Sequence, residues 1–138
     1  MKPIQEFSLE QHGGPYEQRP LQSRLLHHGR PTGILLPGYV LLRQFITIDG
    51  GYLLITDWDC PFEEMTYFTL LGRDFRIRSS RRLGGMAASF LLTGFEVVTD
   101  SAAIAIFGRD KGHDLQYLVK IRKLGIPYFL PKISIKKI

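Results

Sequence analysis

Cysteine is nearly absent from this chain of 138 residues, since Cys60 is the only one. A single cysteine excludes an intramolecular disulfide and any zinc site built from cysteine ligands. No apolar run approaches the ~20 residues that a membrane helix needs. Residues 1–7 lack the apolar segment of a secretory signal. These absences predict a protein of the reducing cytoplasm.

Catalytic signatures are missing as well. The segments around Gly84-Gly85 and Gly108–Gly112 match neither the phosphate-binding loop of nucleotide hydrolases nor the dinucleotide-binding glycine pattern. No Gly-x-Ser-x-Gly nucleophile motif occurs. We therefore expect no catalytic residues, no cofactor and no enzymatic activity.

The four histidines do not predict a metal site. His27 and His28 are adjacent, so on a strand they point to opposite faces and on a helix they diverge by about 100°. Neither arrangement is typical of paired metal ligands. His12 and His113 lie in glycine-containing loops. We expect no metal ligands among these residues.

The composition is that of a folded globular protein, with 44% hydrophobic and 22% charged residues. The length suits one domain. The net charge of +5 is unevenly distributed: residues 1–69 carry five Lys/Arg and eight Asp/Glu, a net −3, whereas residues 70–138 carry thirteen and five, a net +8. The asymmetry indicates either an acidic partner for the second half or charges that protect strand edges from pairing.

Apolar and β-branched segments separated by turn residues run through most of the chain. Between residues 39 and 79 they form a β-meander in which Asp49-Gly50-Gly51 supplies a tight turn. Seven to nine strands at a spacing of roughly 8–12 residues predict a mainly β fold. We expect an antiparallel meander forming a sandwich or partly open barrel, with at most one or two short helices.

Residues 1–33 differ, because glycine and proline interrupt them and their periodicity is poor. We expect an N-terminal irregular arm at 1–33, packed on a single antiparallel β domain at 34–138. Residues 86–92 favour a short buried helix over a strand. Pro131 and three lysines predict that the tail, 131–138, is an edge strand, through which a homodimer could form.

A hydrophilic corner at residues 57–64 interrupts the meander. It places four carboxylates within eight residues, with two aromatic side chains between them. Such aromatic residues are enriched at protein interfaces. The alternatives are a solvated turn whose aromatics fold back on the sheet and a Ca²⁺ or Mg²⁺ site. The candidate partner-binding residues here are Asp57, Trp58, Asp59, Phe62, Glu63 and Glu64.

An arginine stripe follows. In a strand over 75–79, alternation directs Phe75 and Ile77 inward and Arg76 and Arg78 outward. With the lysines of the tail these arginines would form a basic face able to contact phosphates, and Tyr67, Tyr117 and Tyr128 would offer stacking surfaces. The alternative is an ordinary solvated strand face. Arg76 and Arg78 complete the candidate partner-binding residues.

The sequence favours a small cytoplasmic protein that binds a partner protein without catalysis, in an immunity- or adaptor-like role. An alternative is nucleic-acid binding through the basic second half. A second alternative is a divalent-metal-dependent enzyme or ligand-binding protein that uses the acidic corner. No resemblance to a known family is evident in its motifs.

Overall fold

The computed structural model describes residues 1–58, 63–86, 91–108, 115–122 and 132–138. Its strands, in chain order, are β1 (Lys2–Pro3), β2 (Phe7–Leu9), β3 (Ser23–His27), β4 (Arg30–Leu36), β5 (Val40–Ile46), β6 (Tyr52–Asp57), β7 (Glu63–Leu71), β8 (Ile77–Met86), β9 (Leu91–Thr99), β10 (Ala102–Gly108), β11 (Leu115–Ile121) and β12 (Ile133–Lys137). One 3-10 turn, Tyr16–Gln18, is the helical element of the described residues. The predicted mainly β fold with few helices is confirmed.

The strands form three antiparallel sheets. The central sheet has the order β1-β5-β6-β7-β8, the C-terminal sheet β12-β11-β10-β9 and the N-terminal sheet β2-β3-β4. The predicted meander is the run β5-β6-β7-β8 within the central sheet. None of these sheets, as far as the structure describes them, closes into a barrel.

Strand β6 is buried on both faces of the central sheet. Its residues Leu53, Leu54 and Ile55 have no exposed surface. Because side chains alternate along a strand, Leu53 and Ile55 pack toward the C-terminal sheet while Leu54 packs toward the N-terminal sheet. A continuous apolar run is what a doubly covered strand requires.

Each face of the central sheet has its own hydrophobic core. The larger core joins the central and C-terminal sheets and contains Phe45, Leu53, Ile55, Phe68, Leu70, Ala103, Ala105, Phe107, Val119 and Ile133. The smaller core joins the central and N-terminal sheets and contains Phe7, Leu9, Leu25, Leu36, Leu54 and Leu71. The molecule is thus layered, with the central sheet in the middle.

The backbone of residues 1–33 is more regular than expected. The region contains β1, β2, β3 and the start of β4 instead of an irregular arm. Leu9 and Leu25 are paired across β2 and β3 and are both buried against the central sheet. Glycines and prolines lie both between these short strands and within β1 and β4, and they hide the alternation. The division of the chain at residue 33 stays a prediction.

Two further local predictions need correction. Phe75 packs against the smaller core, as predicted, but it lies in the β7–β8 turn with φ +60° and not on a strand. Ile77 is half exposed, so its expected inward position on a strand over 75–79 is wrong. The register shift between Leu70 and Leu71 changes which residues face the core. At the described ends of 86–92 the chain is strand, in β8 and β9, where a helix was expected; residues 87–90 lie outside the described part.

The tail agrees with its prediction in one respect: β12 is an edge strand of the C-terminal sheet. Pro131 lies outside the described residues. Across the described ranges, no helix has the length and apolar character needed to cross a membrane.

Substitution of Leu54 by alanine should lower the free energy of unfolding by about 2–5 kcal/mol, since it leaves a cavity between two sheets. Ile48→Ala is the control, because Ile48 is 62% exposed, and it should change stability by less than about 0.5 kcal/mol. Urea denaturation followed by circular dichroism measures both. If Leu54→Ala and Ile48→Ala lowered the free energy of unfolding by the same small amount, the burial of β6 on both faces would be contradicted.

The β5–β6 turn predicts a pH dependence. The Thr47 hydroxyl, followed by the Gly51 amide and the charge of Lys132, holds the pKa of Asp49 below its usual 3.8, although partial burial acts in the opposite sense. A lowered folded-state pKa stabilises the protein above pH ~3.8, and this contribution is lost as the pH falls below that value. The stability difference between wild type and Asp49→Asn should therefore shrink between about pH 6 and about pH 3.

Urea denaturation at several pH values measures this difference. Thr47→Ser, which keeps the hydroxyl, should retain most of the pH dependence, and Thr47→Val should lose much of it. A wild-type to Asp49→Asn difference that stays constant over the range would show that the Asp49 carboxylate contributes nothing.

Candidate functional site

One end of the central sheet carries the first residues of the predicted acidic corner. The chain crosses there from β4 to β5 through Pro37 and Gly38, and Gly38 has φ +114°. A Cβ on Gly38 would lie 2.8 Å from the carbonyl oxygen of Asp57, so only glycine allows this approach. The amide of Tyr39 donates a 2.7 Å hydrogen bond to the same carbonyl. These contacts attach the N-terminal sheet to the end of β6.

Trp58 lies directly beyond β6 and is half-buried. Its ring packs edge-on against Tyr39, with 4.9 Å between centroids, and against Tyr67, with 5.9 Å. Its indole nitrogen Nε1 donates to the Tyr67 hydroxyl at 3.3 Å. Tyr39 is buried and donates from its hydroxyl to the carbonyl of Pro20 at 2.7 Å. The indole is thus held in one orientation from two sides.

An open groove of about 1000 Å³ adjoins Trp58. We call it the Trp58 groove; its lining residues are Glu10, His12, Pro20, Leu21, Gln22, Arg24, Leu35, Pro37, Trp58 and Tyr67. Leu21 is 80% exposed and Leu35 49% exposed. Exposed apolar side chains beside an oriented indole are the features of a protein-docking surface. Residues 1–33 supply six of these ten lining residues, which the sequence did not predict.

A serine–histidine pair lies at the base of the groove. His12 Nε2 is 2.8 Å from Ser23 Oγ, a distance suited to a nucleophile and its base. However, Ser23 has no exposed surface and its hydroxyl donates to the carbonyl of Gly38 at 2.6 Å. Glu10 faces the same ring nitrogen of His12, at 3.8 Å, instead of orienting the other one as in a triad. We assign this pair a structural role.

The predicted partner-binding residues separate into two groups. Asp57 ends β6 and Trp58 follows it, whereas Glu63 and Glu64 begin β7 at the same end of the sheet. Asp59 and Phe62 lie outside the described residues. Arg76 and Arg78 lie at the other end of the β7–β8 hairpin. Glu64 and Leu70 are six positions apart on β7, which is roughly 20 Å at about 3.4 Å a residue.

Both arginines are exposed, as predicted, and both contact Asp74. Arg78 Nη2 lies 2.8 Å from Asp74 Oδ2, and Arg76 Nε lies 3.8 Å from it. Their charge is therefore partly compensated. Tyr67 and Tyr117 do not form the expected stacking surface, because Tyr67 packs on Trp58 and Tyr117 packs edge-on against Phe107. Tyr128 lies outside the described residues.

The same distant end carries a cluster that the sequence analysis missed. Glu6 Oε1 lies 3.2 Å from His27 Nε2 and 3.5 Å from His28 Nε2. The two imidazole rings are 4.3 Å apart, so the expectation that they diverge is wrong. The reason is that His28 is not on the strand: it has φ +50° and, with Gly29 at φ +78°, forms the β3–β4 turn.

One pattern in the sequence could have indicated this cluster. A two-residue hairpin turn with both residues at positive φ prefers Asn-Gly or Asp-Gly, and His-Gly is a related pair because histidine tolerates this conformation. Treating His28-Gly29 as a turn would have taken His28 out of the strand alternation. Its proximity to Glu6 depends on the pairing of Phe7 with His27, which no local pattern reveals.

Comparison with known proteins provides no relative: no protein-family model, curated protein or solved structure matches this chain.

Proposed function

We propose that this protein acts by binding another protein, whose extended segment docks in the Trp58 groove. The observation that carries the proposal is the Trp58 indole, oriented by Tyr39 and Tyr67 beside the exposed Leu21 and Leu35. Aromatic residues with restrained side chains lose little entropy on binding and dominate many interfaces.

The charge of this region indicates the chemistry of the partner segment. Residues 1–69 carry a net charge of −3, and four carboxylates lie within residues 57–64. Glu10 lines the groove itself, where it pairs with Arg24 at 3.9 Å. Complementary charge accelerates association and selects partners. We therefore propose a segment that places an apolar side chain against Trp58 and carries Lys or Arg on either side.

This activity corresponds to an adaptor- or immunity-like protein that works by occupying a surface of its partner. The single cysteine suits the reducing cytoplasm, where we propose that the binding takes place. The C-terminal edge strand β12 is a proposed surface for self-association.

Variants of the groove test the proposal. Leu21→Asp should weaken binding by about tenfold or more, since it buries a charge against an apolar partner side chain. It should leave the fold unchanged because Leu21 is 80% exposed. The matched control is Val98→Asp, on a 58% exposed residue of β9. Trp58→Ala should show the largest loss of affinity.

The experiment captures partners from cell lysate with wild type and each variant, in the presence of nuclease, and compares them by quantitative mass spectrometry. A partner captured by wild type and Val98→Asp but lost with Leu21→Asp supports the groove, and calorimetry with the purified partner then gives the affinities. Partners captured equally by all variants would contradict the proposal.

A second candidate function is nucleic-acid binding, favoured by the position of β12 beside β8. The two strands belong to different sheets, and both carry exposed cations. The exposed cations on these strands are Arg78, Arg81, Arg82, Lys136 and Lys137. Such a face would contact phosphates without stacking on bases.

Removal of two cations from this face tests the second candidate. The double variant Arg81→Ala/Arg82→Ala should weaken binding of a labelled oligonucleotide and reduce the slope of log affinity against log salt by about 1 to 2. Arg24→Ala is the control, since its side chain is 70% exposed but lies at the Trp58 groove. Fluorescence anisotropy at several salt concentrations measures the slope. Equal slopes for wild type and the double variant would reject this function.

A further inference from the structure

The Glu6–His27–His28 cluster is built from two segments far apart in the chain. His27 ends β3 and pairs with Phe7 of β2, which places Glu6 beside it. The amide of His28 donates to the carbonyl of Glu6 at 2.8 Å. The side chain of Gln44 then secures the segment, because its Oε1 accepts from the amides of Glu6 and Phe7 at 2.9 and 2.8 Å. The backbone under all three side chains is therefore fixed.

We propose that Glu6, His27 and His28 bind a divalent first-row transition metal ion such as Zn²⁺. Their three ligand atoms all lie within 4.8 Å of one another. Ligands about 2.0–2.1 Å from a tetrahedral zinc are about 3.3–3.4 Å apart. The distances of 3.2 and 3.5 Å from Glu6 Oε1 to the two imidazole nitrogens lie just below and just above this value.

The donor set selects the kind of ion. Two imidazole nitrogens and one carboxylate oxygen suit Zn²⁺, Co²⁺, Ni²⁺ and Cu²⁺, whereas Ca²⁺ and Mg²⁺ prefer oxygen ligands alone. Two histidines with one glutamate are also the protein ligands of many zinc sites that keep a further position open.

The surroundings support such a site on one side and leave it open on the other. Phe7 and Phe75 each lie 4.8 Å from the His27 ring, and Tyr52 packs against both phenylalanines. This aromatic wall limits rotation of His27 and excludes water behind it. The His28 side chain is 64% exposed, so an ion can enter from solvent and His28 can turn to complete the geometry.

Metal titration of the full chain, without a histidine tag and stripped by chelator, tests the site. Calorimetry with Zn²⁺ should show one ion per chain with micromolar or tighter affinity, and Co²⁺ should give the visible absorption of a tetrahedral complex. Zn²⁺ should also raise the melting temperature, because the ion binds the folded state. Mg²⁺ should do neither.

Two variants and one control locate the ion. His28→Asn removes a ligand but keeps a residue that tolerates positive φ, so without metal it should melt as wild type does. Loss of a residue that only orients a metal ligand weakens metal binding by about 10- to 100-fold. Loss of a ligand should cost at least as much, so His28→Asn and Glu6→Gln should each weaken Zn²⁺ binding by about tenfold or more. His12→Gln, which removes a histidine from the Trp58 groove, should bind Zn²⁺ as wild type does.

Absence of Zn²⁺ binding by wild type would overturn the proposal and leave the cluster as a histidine–glutamate ion pair. Binding that is equally tight in His28→Asn would also overturn it, because the ion would then lie elsewhere in the chain. Neither result bears on the Trp58 groove, which lies at the other end of the molecule.

Discussion

The burial of β6 on both faces is the interaction on which the rest of the structure depends. Leu53 and Ile55 anchor the C-terminal sheet, and Leu54 anchors the N-terminal sheet. Three short strands such as β2, β3 and β4 need a second layer to be stable. The central sheet provides that layer because its second face is apolar at Leu54 and Leu71.

Covering the central sheet with the N-terminal sheet creates both candidate sites. At one end, residues 20–24 and 35–37 approach Trp58 and form the groove. At the other end, the β3–β4 turn meets Glu6 beside Phe75 from the β7–β8 turn. Ligand sites are often found where two structural elements meet. The middle of this layer is filled by the smaller hydrophobic core, so its two ends are where polar and aromatic side chains remain accessible.

Several local features followed correctly from the sequence because their causes are local. Asp49-Gly50-Gly51 was predicted as a turn, and Gly50 has φ +84° with its amide bonded to the carbonyl of Thr47. The apolar run at 52–56 was predicted as a strand and lies in β6. Phe75 was expected on a strand but lies in a turn with φ +60°, where its ring packs against Phe7 and Tyr52, which are distant in sequence.

The antiparallel β class, the meander and its main turn could be predicted from the sequence, because side-chain alternation and turn chemistry act between neighbouring residues. The interface role assigned to Trp58 stays a prediction. That residues 7–36 form a sheet, and that Glu6 meets His27 and His28, is evident only from the fold. Those features depend on pairings such as Phe7 with His27, twenty residues apart, whose stability comes from burial against the central sheet and not from any local preference.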